Sequence, residues 1–154
     1  MINIKNVDKE NDISVIITNF NKGFTIIEAI NSVRNQIDRN DEIIFIDDCS
    51  SNQSSINAIN DLETFKNFHF YQTPSNLGAS GAKNYGISKA NNGIIVLLDA
   101  DDQIPENSLK YIKSTFLLNP CIDFLFGNYI EINLNLNSKK QINCNSIVGT
   151  NNLL

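Results

Sequence analysis

Short apolar runs alternate with stretches of helical spacing along most of the chain. Ile13 to Thr18 is a continuous, largely β-branched run, the pattern of a strand covered on both faces. Glu42 to Ile46 and Gly93 to Leu98 read as two more buried strands, and Phe68 to Thr73 alternates as another. Between the first two strands Ile26, Ile30, Val33 and Ile37 fall on one helical stripe, opened by Thr25-x-x-Glu28, the spacing of a capping box. Ile56, Ile59 and Leu62 mark a shorter helix. Ala82, Gly86 and Ala90 put small residues on one face of another, which predicts close packing on the sheet. Pro105 suits the first turn of a fourth helix, with Leu109, Ile112 and Phe116 inward and Pro120 as its stop. Ile122 to Phe126 and Tyr129 to Ile132 read as further strand pieces. Strands alternating with helices predict an α/β protein around a mostly parallel sheet.

The strands do not end neutrally. Ile43 to Ile46 runs into Asp47-Asp48, and Ile94 to Leu98 runs into Asp99-Ala100-Asp101-Asp102. Clustered carboxylates beside apolar strands repel one another and must stay hydrated, so folding alone gives no reason for them. A divalent cation would resolve the conflict. In open parallel sheets ligands sit outside the carboxyl ends of the strands, where Thr18-Asn19-Phe20-Asn21 also lies. The expectation is one carboxylate-lined crevice holding a nucleotide diphosphate. Mg²⁺ or Mn²⁺ on Asp99 and Asp101 would cancel the repulsion between phosphates and acids, and would neutralise charge on a departing diphosphate. The first acid pair needs a different role. A carboxylate there can accept the imide N–H of uracil or thymine while Phe20 offers a stacking face. Each feature also has a plainer explanation: a polar turn for Asp47-Asp48, a helix start for Asp102, a core position for Phe20, and a solvated helix residue for Lys83.

Composition narrows the partners. With 154 residues and 42% hydrophobic content this is one soluble domain of ordinary size. A net charge of −5 without a Lys/Arg stripe argues against nucleic acid. No apolar stretch approaches the roughly 20 residues that span a bilayer. Met1 to Asp12 shows no signal-peptide pattern. The three cysteines lack metal-site spacing and read as reduced thiols of a cytosolic protein.

The motifs together resemble the family 2 glycosyltransferases of the GT-A fold. Four segments carry the likeness in family order: Ser14-Val15-Ile16-Ile17-Thr18-Asn19-Phe20-Asn21, Ile46-Asp47-Asp48-Cys49-Ser50, Asn76-Leu77-Gly78-Ala79-Ser80-Gly81-Ala82-Lys83-Asn84-Tyr85-Gly86, and Leu97-Leu98-Asp99-Ala100-Asp101-Asp102. Phe124-Leu125-Phe126-Gly127-Asn128-Tyr129 is similar to the strand region that follows them. The resemblance implies a three-layer α/β/α fold and a hexosyl-type transfer from a nucleotide-diphosphate sugar with inversion. The donor is expected to be a UDP-sugar and the acceptor a saccharide or lipid-linked molecule. By the same resemblance Thr18 and Phe20 hold the base, Asn21 counts among the substrate-binding residues, Asp48 with Asp47 binds uracil, and Lys83 stands where Arg is usual. Asp99, Ala100 and Asp101 form the donor-sugar motif, Asp99 and Asp101 being the metal ligands. Phe20 stands where Tyr is frequent, and Cys49 where Gly is common.

The family's general base follows well after the Asp-x-Asp motif. Here Glu131 is the only acid beyond Asp123, and it falls in a strand-like stretch, so no base is assigned. The expected organisation is a polar lead-in over residues 1–11, a donor-binding domain over 12–132, and a weakly patterned tail over 133–154 that continues in a longer protein. Work on the cytosolic side, at the inner membrane face, in cell-surface polysaccharide or glycolipid synthesis fits the resemblance. Two other readings are a donor-binding fragment without turnover and a receiver-type signalling module. The second fits poorly, because its acid pair should follow the first strand and a Lys should end the last.

Overall fold

The computed structural model describes residues 11–62, 65–133 and 136–144. In chain order these form β1 (Ile13–Asn19), α1 (Ile26–Arg34), β2 (Glu42–Asp47), α2 (Gln53–Asn60), β3 (Phe68–Gln72), α3 (Gly78–Ile87), β4 (Ile94–Asp99), α4 (Ser108–Leu118), β5 (Tyr129–Asn133) and β6 (Ser138–Ile142). By internal contacts the chain divides into a unit up to Lys113 and a second from Ser114 onward.

The first unit is built on a four-stranded sheet of order β3-β2-β1-β4, parallel throughout. Every residue of β1 and β2 is buried, as central strands of a parallel sheet covered on both faces should be. One face carries Ile16, Ile44 and Ile46, which close on Ala82 of α3. Gly86 completes that contact: a Cβ there would lie 2.4 Å from Ile16 Cγ2 and 3.2 Å from Ile46 Cγ1. Strand alternation sends Val15, Ile17, Ile43 and Phe45 to the opposite face. There Phe45 stacks on Phe68 and Phe70, Phe68 meets Phe65, and Arg34 of α1 lies 4.4 Å above the Phe65 ring. Helices therefore cover both faces, giving the α/β/α layering.

Several local expectations change. Thr25 precedes α1, but its hydroxyl donates to Lys22 O (3.0 Å) and caps nothing, so the capping box does not form. Ile37 lies beyond the end of α1. In α2 the buried residue is Ser55, while Ile56 is exposed. The reason is Gly23, packed so tightly that a Cβ would sit 2.3 Å from the Ser54 carbonyl carbon. The α2 cap is Asn52, whose Oδ1 accepts Ser55 N–H (2.9 Å). Pro105 precedes α4 by three residues, with Asn107 in a left-handed turn (φ 67°) between them. β4 is an edge strand, and Leu97 is 47% exposed rather than buried.

In the second unit Ile122 to Phe126 is not a strand; it has a single bridge at Phe124, whose ring is exposed. β5 pairs antiparallel with β6 in a two-stranded sheet. The stretch expected to be a weakly patterned tail contains the strand β6 as far as Ile142. Ser138-Lys139-Lys140-Gln141 is exposed along its length, so no buried face imposes an apolar alternation that sequence reading could detect. Among the described residues no helix is long and apolar enough to cross a membrane.

Candidate functional site

Parallel register brings the acid-bearing strand ends together. Asn19 pairs with Asp47, and Thr18 with Asp99, so the carboxyl ends of β2, β1 and β4 form one row. Above that row opens a cleft of about 410 Å³ lined by Thr18, Phe20, Lys22, Asp48, Asp99 and Asp101, with Asn76, Gly78 and Ala79 on its α3 side. Phe20 is 46% exposed, so its ring faces the cleft instead of the core.

The β2 side is rigid. Asp47 is fully buried. Its Oδ1 accepts Asn19 Nδ2 (2.8 Å) and the Ser50 hydroxyl, and its Oδ2 accepts Ser50 N–H (3.1 Å) and Gln72 Nε2 (3.0 Å). Such a carboxylate has nothing left for a ligand. Asp48 turns the other way. Its Oδ1 accepts Thr73 Oγ1 and Leu77 N–H, both at 2.8 Å, while the residue lines the cleft. Cys49, next in the turn, has φ 58° and donates its thiol to Thr73 O (3.2 Å). Glycine would adopt this left-handed turn without steric cost.

Asn21 also holds a left-handed turn (φ 60°) and stays out of the cleft. Its Oδ1 accepts Ser51 N–H (2.8 Å) and Asn52 N–H (3.0 Å), and its backbone N–H donates to Ser50 Oγ (2.9 Å). It ties the β1–α1 loop to the β2–α2 loop.

The β4 side is open and charged. Asp99 Oδ1 accepts Thr18 Oγ1 (3.0 Å) and pairs with Lys83 Nζ (2.9 Å). Asp101 Oδ2 pairs with Lys22 Nζ at 2.6 Å. Ala100 is buried between them, its N–H donating to Thr18 O (2.9 Å), which spaces the two acids. Partial burial and then the neighbouring Asp101 and Asp99 charges push the Asp102 carboxyl above the ordinary range. The hydrogen bond to Asp101, and then its charge, hold the Lys22 ammonium above its usual value. Among the described residues no three His, Cys, Asp or Glu side chains converge into a metal cage.

The structure therefore gathers Thr18, Phe20, Asp48, Asp99 and Asp101 around one space, with Lys83 bonded to its edge. It places Asp47, Asn21 and Ala100 behind that space as supports. Asp47 differs from Asp48 in that both of its oxygens already accept hydrogen bonds from protein donors. Lys22 and Asn19 escaped the sequence reading. Each lies within the Thr18–Asn21 segment or one residue beyond it, and a lysine directly after that strand end was the available signal.

Comparison with known proteins agrees with this geometry. The family model described as Glycosyl transferase family 2 matches residues 14–149. An uncharacterized glycosyltransferase of Haemophilus influenzae is 32% identical over 84% of the chain and 52% of its own length. The Escherichia coli UDP-Glc:alpha-D-GlcNAc-diphosphoundecaprenol beta-1,3-glucosyltransferase WfgD is 34% identical over 89% of the chain and 49% of its own length. The chain thus spans about half the length of these relatives. The crystal structure of S. aureus TarS in complex with UDP-GlcNAc superposes with a TM-score of 0.62 at 25% identity, covering 71% of this chain and 32% of TarS. A GT-A-type sheet, a cleft at its carboxyl edge and a family match across most of the chain lead to one conclusion: this protein belongs to glycosyl transferase family 2.

Proposed function

We infer that the chain forms the donor-binding part of an inverting glycosyltransferase that takes a UDP-sugar and passes the sugar to a saccharide or lipid-linked acceptor. The observation carrying this reading is that Phe20 and Asp48 share one cleft with Asp99 and Asp101. A uracil ring stacked on Phe20 would donate its imide N–H to the Asp48 carboxylate. The diphosphate then runs toward β4. WfgD is named for a UDP-Glc donor, and TarS has been solved with UDP and with UDP-GlcNAc, which supports uridine as the base.

The residues fit a hard divalent cation. Asp99 and Asp101 offer carboxylate oxygens, and each already attracts an ammonium group. Two acids leave most coordination positions to phosphate oxygens and water, the usual arrangement for Mg²⁺ and Mn²⁺ beside a diphosphate. Such an ion, when bound, neutralises charge on the leaving diphosphate. In the transfer itself the acceptor oxygen bonds to the anomeric carbon opposite the diphosphate. The carbon–oxygen bond to the diphosphate breaks, and its electron pair leaves with UDP. The acceptor's proton goes to a base for which the cleft's carboxylates, committed to uracil and metal, offer no candidate. UDP-sugars and lipid-linked acceptors meet at the inner face of the membrane, where we place the reaction.

Calorimetry with UDP, with and without Mn²⁺, tests the reading. Binding should require the metal and should be lost in Asp101→Ala. Metal-independent binding that survives this substitution would overturn it. Slow release of UDP from a UDP-sugar without acceptor would separate a turning-over site from one that only binds.

A further inference from the structure

Lys22 is placed to do more than neutralise Asp101. Its backbone is immobilised: its N–H donates to Asn19 Oδ1 (3.2 Å), and its carbonyl accepts both Thr25 N–H and Thr25 Oγ1 (3.0 Å each). On one side Asn21 is bonded to the β2–α2 loop, and on the other Gly23 is pressed against Ser54 and Ser55. The side chain, by contrast, is 51% exposed and stretches into the cleft on a flexible four-carbon stem. Lys83 differs. It is the more enclosed of the two, on a helix whose Ala82 and Gly86 are locked against the sheet. Of the two ammonium groups at the Asp-x-Asp motif, Lys22 has the fixed root and the free head.

A cation that binds Asp101 must compete with that ammonium group. Once displaced, the ammonium remains at the mouth of a cleft whose ligand carries a diphosphate. Resting on the donor-binding reading above, we propose that Lys22 is a donor-binding residue with two alternative partners, the Asp101 carboxylate and the donor's diphosphate. Metal arrival at Asp101 moves it from one to the other. Metal alone then binds weakly, because it displaces Lys22 without giving it a new partner. Metal and nucleotide together bind cooperatively, because the diphosphate receives the released charge.

Lys22→Met and Lys22→Arg, with wild-type protein, test this through binding alone. Mn²⁺ is titrated without nucleotide by electron paramagnetic resonance, and UDP is titrated at saturating Mn²⁺ by calorimetry. A half-exposed ion pair of ordinary strength competes by a few-fold, so Lys22→Met should bind Mn²⁺ alone about two- to fivefold more tightly. Loss of a charge-assisted bond to phosphate should weaken UDP about tenfold in the same variant. Lys22→Arg should stay close to wild type in both. These opposite shifts separate the proposal from mere misfolding, which weakens both. If wild-type protein binds UDP with Mn²⁺ but Lys22→Met tightens neither Mn²⁺ nor weakens UDP, the role of Lys22 is overturned and the donor site stands. If wild-type protein binds no UDP with Mn²⁺, the donor-binding reading falls, and Lys22's second partner with it.

Discussion

At the end of β2, Asp47 is fully buried and both of its oxygens accept hydrogen bonds from Asn19, Ser50 and Gln72. At the end of β4, Asp99 and Asp101 keep 45% and 42% of their side chains exposed, and among the described residues their charges meet lysine ammonium groups and the Thr18 hydroxyl. The two ends look alike in sequence, an apolar run that turns acidic. What separates them is who answers the charge. Where the protein supplies the donors, the carboxylate holds loops together. Where it supplies only displaceable cations, the carboxylate is available to a ligand.

The largest effect should come from Asp47→Ala. Removing a buried carboxylate that several donors surround leaves those donors unpaired, a cost of about 3–5 kcal/mol. Urea unfolding should show most of the protein's stability lost, and a near-normal midpoint would break the contrast. Asp101→Ala should do the reverse. Its unfolding midpoint should barely move, since exposed pairs contribute little. Its Mn²⁺-dependent UDP affinity should fall by at least the roughly 10–100-fold that loss of even a supporting metal-site partner costs.

Ser50→Ala sharpens the comparison from the scaffold side. The hydroxyl donates to Asp47 and accepts from Asn19 Nδ2 and Asn21 N–H, so its loss should cost about 1–2 kcal/mol by thermal unfolding. UDP affinity should change little if Asp47 only supports the loops.

The smallest effect concerns Asp102. Burial and its acidic neighbours raise its folded pKa, so the folded protein holds this proton more tightly than the unfolded chain does. Its ionisation therefore subtracts stability as pH rises through the window just above the ordinary carboxylate range. Below that window the penalty vanishes. Asp102→Asn should be slightly more stable than wild type at neutral pH and indistinguishable from it in strong acid. A pH series of melting temperatures would read the crossover, and a variant equally destabilised at every pH would contradict it.

Much of this was legible beforehand because it is written in side-chain periodicity. Val15–Ile17 and Ile43–Ile46 are apolar at successive positions, which burial on both faces of a sheet rewards. Ala82 and Gly86, four apart, marked the face of α3 that the sheet approaches. The meeting of the acids at the ends of β2 and β4, on either side of β1, followed from parallel topology, because parallel strands align their carboxyl ends. Less legible were Ser55 in place of Ile56 and the missing capping box. The first depends on Gly23 meeting a segment distant in sequence, and the second on the Thr25 hydroxyl bonding back to the Lys22 carbonyl.

Local pattern sufficed for the α/β architecture, the strand order's acid-bearing edge and the aromatic beside it, since each arises from repeating contacts between near neighbours. Only the folded chain decided that Asp48 faces the cleft while Asp47 is sealed beneath it, and that Lys22 rests on Asp101. Adjacent residues in a tight turn point in opposite directions. Which direction reaches the cleft depends on donors such as Asn19, Gln72 and Thr73, carried in from other strands, and no reading of one segment contains them.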